Sequence, residues 1–227
     1  MHHFTRKQLA SLLWPRFSTS IEVLNRNSQM LATIRCYLSN GIAMFATREE
    51  MFSAVNRRLG NKGITYLEFG VWKGDSLRAW TGINADETSR FYGFDSFEGL
   101  PEDWVKGFGH TTARGQFGLA GEMPTIQDSR VTLVNGWFQE TLRNFLHSTE
   151  LIHPIVVHND SDLHSSTLYT LSTLDSFLQP GDIIIFDEYS SPSHEYLAWE
   201  EYKHAFMRKA ECIAMSDHWT QAAFEIT

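Results

Sequence analysis

Acidic residues gather at two places in this chain. One is His158-Asn159-Asp160-Ser161-Asp162-Leu163-His164-Ser165-Ser166-Thr167, the other Phe186-Asp187-Glu188-Tyr189. Each follows a short apolar run, residues 155–157 and 183–186, of the kind that forms a buried strand. If the two strands are neighbours, Asp160, Asp162, Asp187 and Glu188 converge. Carboxylates that close repel one another, and a cation resolves the repulsion. Oxygen ligands favour a hard ion such as magnesium. Asp162 or Ser165 as a helix cap, with Asp187 and Glu188 in solvent, is the plainer reading of the same residues.

A second kind of chemistry is suggested by Leu67-Glu68-Phe69-Gly70-Val71-Trp72-Lys73-Gly74-Asp75-Ser76. Gly70 and Gly74 permit a tight turn and a close approach of backbone to a ligand. Asp75 or Ser76 is placed to cap a following helix, whose N-terminus would favour a carboxylate or phosphate. The glycines are spaced G-x-x-x-G, which is not the G-x-G-x-x-G of dinucleotide sites. Asp95, followed by Ser96, ends an apolar stretch 27 residues after Glu68. An acid one strand–helix–strand unit beyond a glycine turn suits a ribose diol, whose two hydroxyls it can accept. Gly136-Trp137-Phe138 places two aromatics after a third strand, for an adenine ring or for the core. Asp162 and His164 lie two residues apart, so an extended chain would point both to one side as candidate bases.

The elements that must carry these residues alternate. Residues 64–69, 91–94, 131–134, 155–158 and 182–186 read as strands, and weaker strands are expected at 212–215 and 222–226. Helical stretches separate them, with Leu168, Leu171, Leu174 and Leu178 on one face of one helix. The pattern predicts a Rossmann-like α/β fold, a mostly parallel seven-stranded sheet with helices on both faces. Ligands of such sheets bind along the edge formed by the strands' C-terminal ends. Residues 1–60 read as a separate helical segment, a cap, oligomerisation element or substrate cover, before a main domain at 61–227. In that segment Leu9, Leu12 and Leu13 share one face, and Leu31, Ile34 and Leu38 another. Met51, Val55 and Leu59 form a stripe, and Pro15 is expected to interrupt helix. Residues 98–129 form a 32-residue stretch with six glycines, a length that suits a lid.

Composition narrows the possibilities. The 227 residues suffice for one large α/β domain, and 42% apolar with 20% charged residues is ordinary globular usage. A formal charge of −8 argues against nucleic acid as a partner. No apolar run reaches the roughly 20 residues a membrane helix needs, and no signal-peptide core follows Arg6 and Lys7. Cys36 and Cys212 match no metal or redox spacing and read as reduced thiols in a cytoplasmic protein.

Five pieces, YLEFGVWKGDS, YGFDSFEGLPEDW, VTLVNGWFQETL, HNDSDLHSST and PGDIIIFDEY, stand in an order that resembles one family. It is the class I S-adenosylmethionine-dependent methyltransferases similar to the macrocin and mycinamicin sugar O-methyltransferases. The resemblance implies that Glu68, Gly70, Val71, Gly74 and Ser76 hold the methionine part of the cofactor. It implies that Asp95 and Ser96 hold the ribose, that Gly136, Trp137 and Phe138 lie beside the adenine, and that Asp160 is at both cofactor and metal. Asp160, Asp187 and Glu188 are the implied magnesium ligands and Asp162 the implied base. The chain departs from the family at His164, where a tyrosine is usual, at Ser161, and at Glu188, where an aspartate is usual. The expected activity is methyl transfer to a hydroxyl of a sugar or small natural product, a monomer and a homo-oligomer both being open. A nucleotide-binding oxidoreductase and a non-catalytic cofactor-binding module are the alternatives.

Overall fold

The structure, a computed structural model, describes the backbone of residues 6–227 apart from 108 and 109, and the side chains of 21–227 apart from 107–109. Its order is α1 (Arg6–Ser39), β1 (Ala43–Phe45), α2 (Arg48–Arg58), β2 (Thr65–Phe69), α3 (Asp75–Ile83) and β3 (Arg90–Asp95). Then come β4 (Trp104–Gly107), β5 (His110–Thr112), β6 (Val131–Asn135), α4 (Phe138–Ser148), β7 (Ile155–Asn159) and α5 (His164–Leu174). The chain finishes with β8 (Ile183–Phe186), α6 (Glu195–Ala205), β9 (Ala210–Ser216) and β10 (Ala222–Ile226).

The main sheet has eight strands in the order β1-β9-β10-β8-β7-β2-β3-β6. β10 runs antiparallel to both neighbours, and the other described pairings are parallel. This is the expected Rossmann-like α/β fold, with one strand more than expected. The extra strand is β1, which pairs in parallel with β9 through Ala43 and Ala214. Three residues carry too little periodicity to announce a strand. Within the stretch expected to be helical and apart from the sheet, residues 43–45 therefore add an edge strand to it, and α2 packs beside β9.

Burial explains the strands. Every residue of β2, β7 and β8 is buried, as a sheet covered on both faces requires. One core, built around Phe69, Phe94, Leu171, Trp199 and Phe224, fills one face. A second, around Phe52, Tyr66, Trp80 and Phe91, fills the other. The α2 stripe of Met51, Val55 and Leu59 is buried as expected. Of Leu31, Ile34 and Leu38, only Ile34 is buried, beside Met30; the two leucines are more than a third exposed. The Leu9, Leu12 and Leu13 side chains lie outside the described residues. α1 runs through Pro15, where the sequence predicts an interruption. Among the described residues no helix is long and apolar enough to cross a membrane.

The 98–129 stretch is also more ordered than a bare loop. β4 and β5 form a two-stranded hairpin within it. Leu100 and Trp104 pack with Leu163 in a small core of their own.

Candidate active site

The backbone ladder of the sheet runs one residue past the strands and aligns the loops that follow. The N–H groups of Gly70, Gly136, Asp160 and Asp187 donate to the carbonyls of Phe94, Asp95, Phe69 and Asn159 at 2.9–3.0 Å. The chain leaves β2 toward β3 on one side of the sheet, and leaves β7 toward β8 on the other. A crevice opens between such diverging ends. Here it is a cavity of about 350 Å³. Gly70, Val71, Ser76, Asp95, Ser96, Trp137 and Phe138 line one part, and Asp160, Asp162, Asp187 and Glu188 another.

Gly70 has φ 95°, and a Cβ there would meet the Asp160 carbonyl oxygen at 1.9 Å. The neighbouring loop alone thus demands glycine, whatever ligand approaches. Gly74, at φ 79°, starts α3 and makes no side-chain cap bond. Neither residue expected to cap α3 does so. Asp75 pairs with Arg78, and the Ser76 hydroxyl donates to Glu68 Oε1 at 2.9 Å. Glu68 itself is fully buried and is not among the cavity residues; its Oε2 accepts from the Tyr66 hydroxyl at 2.6 Å. It braces the glycine turn from beneath. Gly136 also stands back, bringing Trp137 and Phe138 to the wall, where Phe138 packs edge-on against Phe69.

Asp95 is used more heavily by the protein than a ribose ligand needs. Its Oδ2 accepts from the N–H groups of Val71 and Trp72, both at 2.8 Å, and its Oδ1 from that of Phe97 at 2.7 Å. A carboxylate has about four lone-pair directions, so three are filled and one on Oδ1 is left. A ribose at Asp95 would therefore meet a carboxylate already taking three backbone N–H groups.

On the acid side, Asp160 and Asp187 stand at adjacent strand ends. Burial, then Asp187, pushes the Asp160 carboxyl well above the usual range. Burial would raise Asp187 as well, but His158 and Arg48 hold it below the usual range. Burial opposes a charge on His158, yet Asp187 and Glu68 push it up to about 10. The Tyr66 hydroxyl spends its hydrogen on Glu68 and stands 2.7 Å from His158 Nδ1, so that nitrogen carries a hydrogen. Nε2 is buried without a hydrogen-bond partner, 3.7 Å from Asp187 Oδ1. Among the described residues, the group whose ligand atoms lie within 4.8 Å of one another is His158, Asp160 and Asp187. Once it gives up its proton, that buried nitrogen, facing two carboxylates, is placed to bind a divalent ion. Glu188 lines the cavity without joining that group, and its carboxyl is raised by burial and by Asp187. Its backbone N–H donates to Glu195 Oε2 at 2.8 Å, and buried Glu195 is itself held well above the usual range by desolvation.

Asp162 lines the cavity, and burial, then Glu188, pushes its carboxyl up to about 7. The extended geometry expected around it does not occur. Asp162 has φ 63°, a left-handed turn, so the two side chains diverge. His164 is not among the cavity residues; its Nε2 lies 2.7 Å from Glu201.

Besides Lys73 of the glycine turn, two cations at the cavity, Arg48 and Lys106, escaped the sequence reading. Arg48 begins α2, whose start is fixed by Thr47 accepting from the Glu50 N–H at 3.2 Å. It reaches Asp187 Oδ1 at 3.4 Å across 139 positions of sequence, which no local signal could announce. Lys106, on β4, lies over the Trp104 ring at 3.3 Å.

A doubly wound sheet with a glycine turn, a strand-end aspartate and an acid pair in one crevice defines a nucleotide-type cofactor fold with an added polar site. The chain belongs to the macrocin-O-methyltransferase (TylF) family, whose model matches residues 46–221. It is 30% identical over 142 residues to an 8-demethyl-8-(2,3-dimethoxy-alpha-L-rhamnosyl)-tetracenomycin-C 4'-O-methyltransferase from Streptomyces olivaceus. That match takes in 55% of this chain and 52% of the relative, so the chain spans about half the length of that protein. Its fold is similar to that of the O-methyltransferase NovP, at TM-score 0.58 and 23% identity over 79% of each chain. It is also similar to the calicheamicin methyltransferase CalS11, at TM-score 0.62 and 18% identity over 99% of this chain and 94% of that one.

Proposed function

We propose that the chain is an S-adenosylmethionine-dependent O-methyltransferase acting on a hydroxyl of a sugar or small natural product. The observation that carries this reading is one cavity shared by the β2–α3 turn, Asp95 and Trp137 on one side and Asp160, Asp162 and Asp187 on the other. Family membership and the rhamnosyl relative support the choice of a sugar hydroxyl. When bound, S-adenosylmethionine supplies an already activated methyl group and a magnesium ion a Lewis acid for an oxygen.

The chain's own residues do the rest. The α3 start and the Val71–Trp72 backbone form the floor for the methionine part, with Asp95 holding that floor in place. One lone pair of Asp95 Oδ1 accepts a ribose hydroxyl, and the Ser96 hydroxyl stands beside it for the other. Trp137 and Phe138 wall the adenine. Asp160 and Asp187, with His158 close by, would hold the metal, and Glu188 lines the cavity beside them. Asp162 Oδ takes the acceptor's hydroxyl proton, and its raised affinity for protons suits that task near neutral pH. Leu100, Trp104 and Phe117 shield the site from water. His164, bound to Glu201, has no part in proton removal.

The test is calorimetry with S-adenosylhomocysteine, followed by methyl transfer from labelled S-adenosylmethionine to a panel of rhamnosides and other glycosides. Cofactor binding with transfer to at least one hydroxyl is expected. Binding without transfer to any acceptor would favour a cofactor-binding module, and no binding would end the reading.

A further inference from the structure

α5 and α6 both start without a side-chain cap from their own N-cap residues, Leu163 and His194. An open helix start leaves backbone N–H groups without partners. His194 is nevertheless fully engaged, and with other elements. The N–H of His164, the first residue of α5, donates to His194 Nδ1 at 3.4 Å. On the other edge of the ring, Nε2 lies 2.8 Å from the Val105 carbonyl oxygen in β4. A carbonyl only accepts, so Nε2 carries the hydrogen. A backbone N–H only donates, so Nδ1 is bare. One neutral tautomer satisfies both contacts at once.

The surrounding contacts repeat the connection. Trp104 meets the His194 ring edge-on at 6.2 Å between centroids. The Ser165 hydroxyl of α5 donates to Glu102, ahead of β4, at 2.6 Å. Leu100, Trp104 and Leu163 are buried together. The hairpin, the start of α5 and the start of α6 thus meet at one imidazole. Two of these carry cavity residues next to the tie: Lys106 follows Val105, and Asp162 stands two residues before His164. His194 is not itself among the cavity residues.

We infer that His194 is a positioning residue that holds the β4–β5 hairpin as a fixed wall opposite Asp162, on the acceptor side of the cavity. The hairpin is then a preformed surface against which an acceptor is selected, not a lid that swings. What the wall serves rests on the methyltransferase reading; whether it is held does not. Histidine suits the position because its donor and acceptor lie on opposite edges of one rigid ring. Alanine offers neither, and glutamine can keep a donor for the Val105 carbonyl but cannot also span to His164.

The experiment is hydrogen exchange by mass spectrometry on the wild-type chain, H194A and H194Q, without acceptor, with S-adenosylhomocysteine affinity measured on the same samples. In H194A, exchange over residues 100–106, 110–112 and the first turn of α5 speeds up by about tenfold, the effect of losing one or two hydrogen bonds to local opening. Strands β2 and β7 and cofactor affinity stay unchanged. H194Q restores the hairpin and leaves the α5 start fast. Hairpin exchange equal to wild type in H194A overturns the inference. So does faster exchange throughout the sheet, which would make the ring a support of the whole fold, and so does H194Q behaving as H194A. If the wild-type chain fails to bind S-adenosylhomocysteine, the cofactor reading falls and the exchange result stands by itself.

Discussion

Asp95→Ala separates a structural from a ligand-binding account of the β3 end. Three backbone N–H groups, from Val71, Trp72 and Phe97, depend on this carboxylate at 2.7–2.8 Å. Val71 and Phe97 are buried, whereas Trp72 is 41% exposed and can turn its N–H to water. The substitution therefore removes the charged acceptor from two part-buried N–H groups, each bond worth about 1–3 kcal/mol, for a loss of roughly 2–6 kcal/mol in the cofactor-free protein. For a chain of this size that is a fall in Tm of roughly 4–24 °C. Phe97 sits at φ 56°, and Trp72 at φ 47°, so the turns that lose their anchor are also conformationally costly ones. Differential scanning calorimetry on the apo protein reads the effect directly. Asp95→Asn should fall between wild type and alanine, since one oxygen still accepts while the amide faces an N–H. A Tm for Asp95→Ala within a degree or two of wild type, with only cofactor affinity reduced, would refute the reasoning and return Asp95 to a pure ribose ligand.

Three further outcomes follow from the same geometry. Asp162→Asn should lower kcat by about 10²–10⁴-fold with S-adenosylhomocysteine affinity unchanged, and a loss under tenfold would move proton removal elsewhere. Manganese alone should bind the wild-type chain by calorimetry and bind at least about tenfold more weakly to Asp187→Asn, as loss of one charged ligand implies; equal binding would exclude the acid pair as its site. Protection of the hairpin should depend on pH. Burial holds His194 below its ordinary 6.5, with His164 and Arg26 adding to that and Glu102 and the Val105 carbonyl opposing it. The neutral ring is therefore intact above 6.5, and hairpin protection, taken relative to the intrinsic exchange rate at each pH, should be lost only as the pH falls below that value through the lowered pKa. A loss of the same size in H194A would assign it to another group.

Much of the fold can be read from the chain because the buried strands announce themselves. The runs before Gly70, Asp95, Asn159 and Asp187 are apolar on both faces, and a parallel sheet then places their ends along one edge. That is why Gly70, Asp95, Asp160, Asp162 and Asp187 can be gathered from the sequence alone. The rest depends on contacts between distant residues or on single torsions. Arg48 reaches Asp187 from outside the repeating pattern. β1 is a three-residue edge whose partner, β9, lies near the other end of the chain. Spacing suggested that Asp162 and His164 face one way, and one left-handed residue parts them. A strand-end aspartate is read as a ligand because its charge is conspicuous, while the three N–H groups that claim it are invisible in a sequence. His158 reads as the end of a strand, and its free Nε2 becomes apparent only once Tyr66 and Glu68 are seen to be occupied with one another.

The most direct measurement is a crystal structure of the chain grown with S-adenosylhomocysteine and magnesium. The account predicts the nucleoside between Asp95 and Trp137, with one ribose hydroxyl on Asp95 Oδ1. It predicts an ion between Asp160 and Asp187 within reach of His158 Nε2, and an open space bounded by Asp162 and Lys106. Nucleoside density away from the β2–α3 turn, or its absence at saturating ligand, would contradict the central claim.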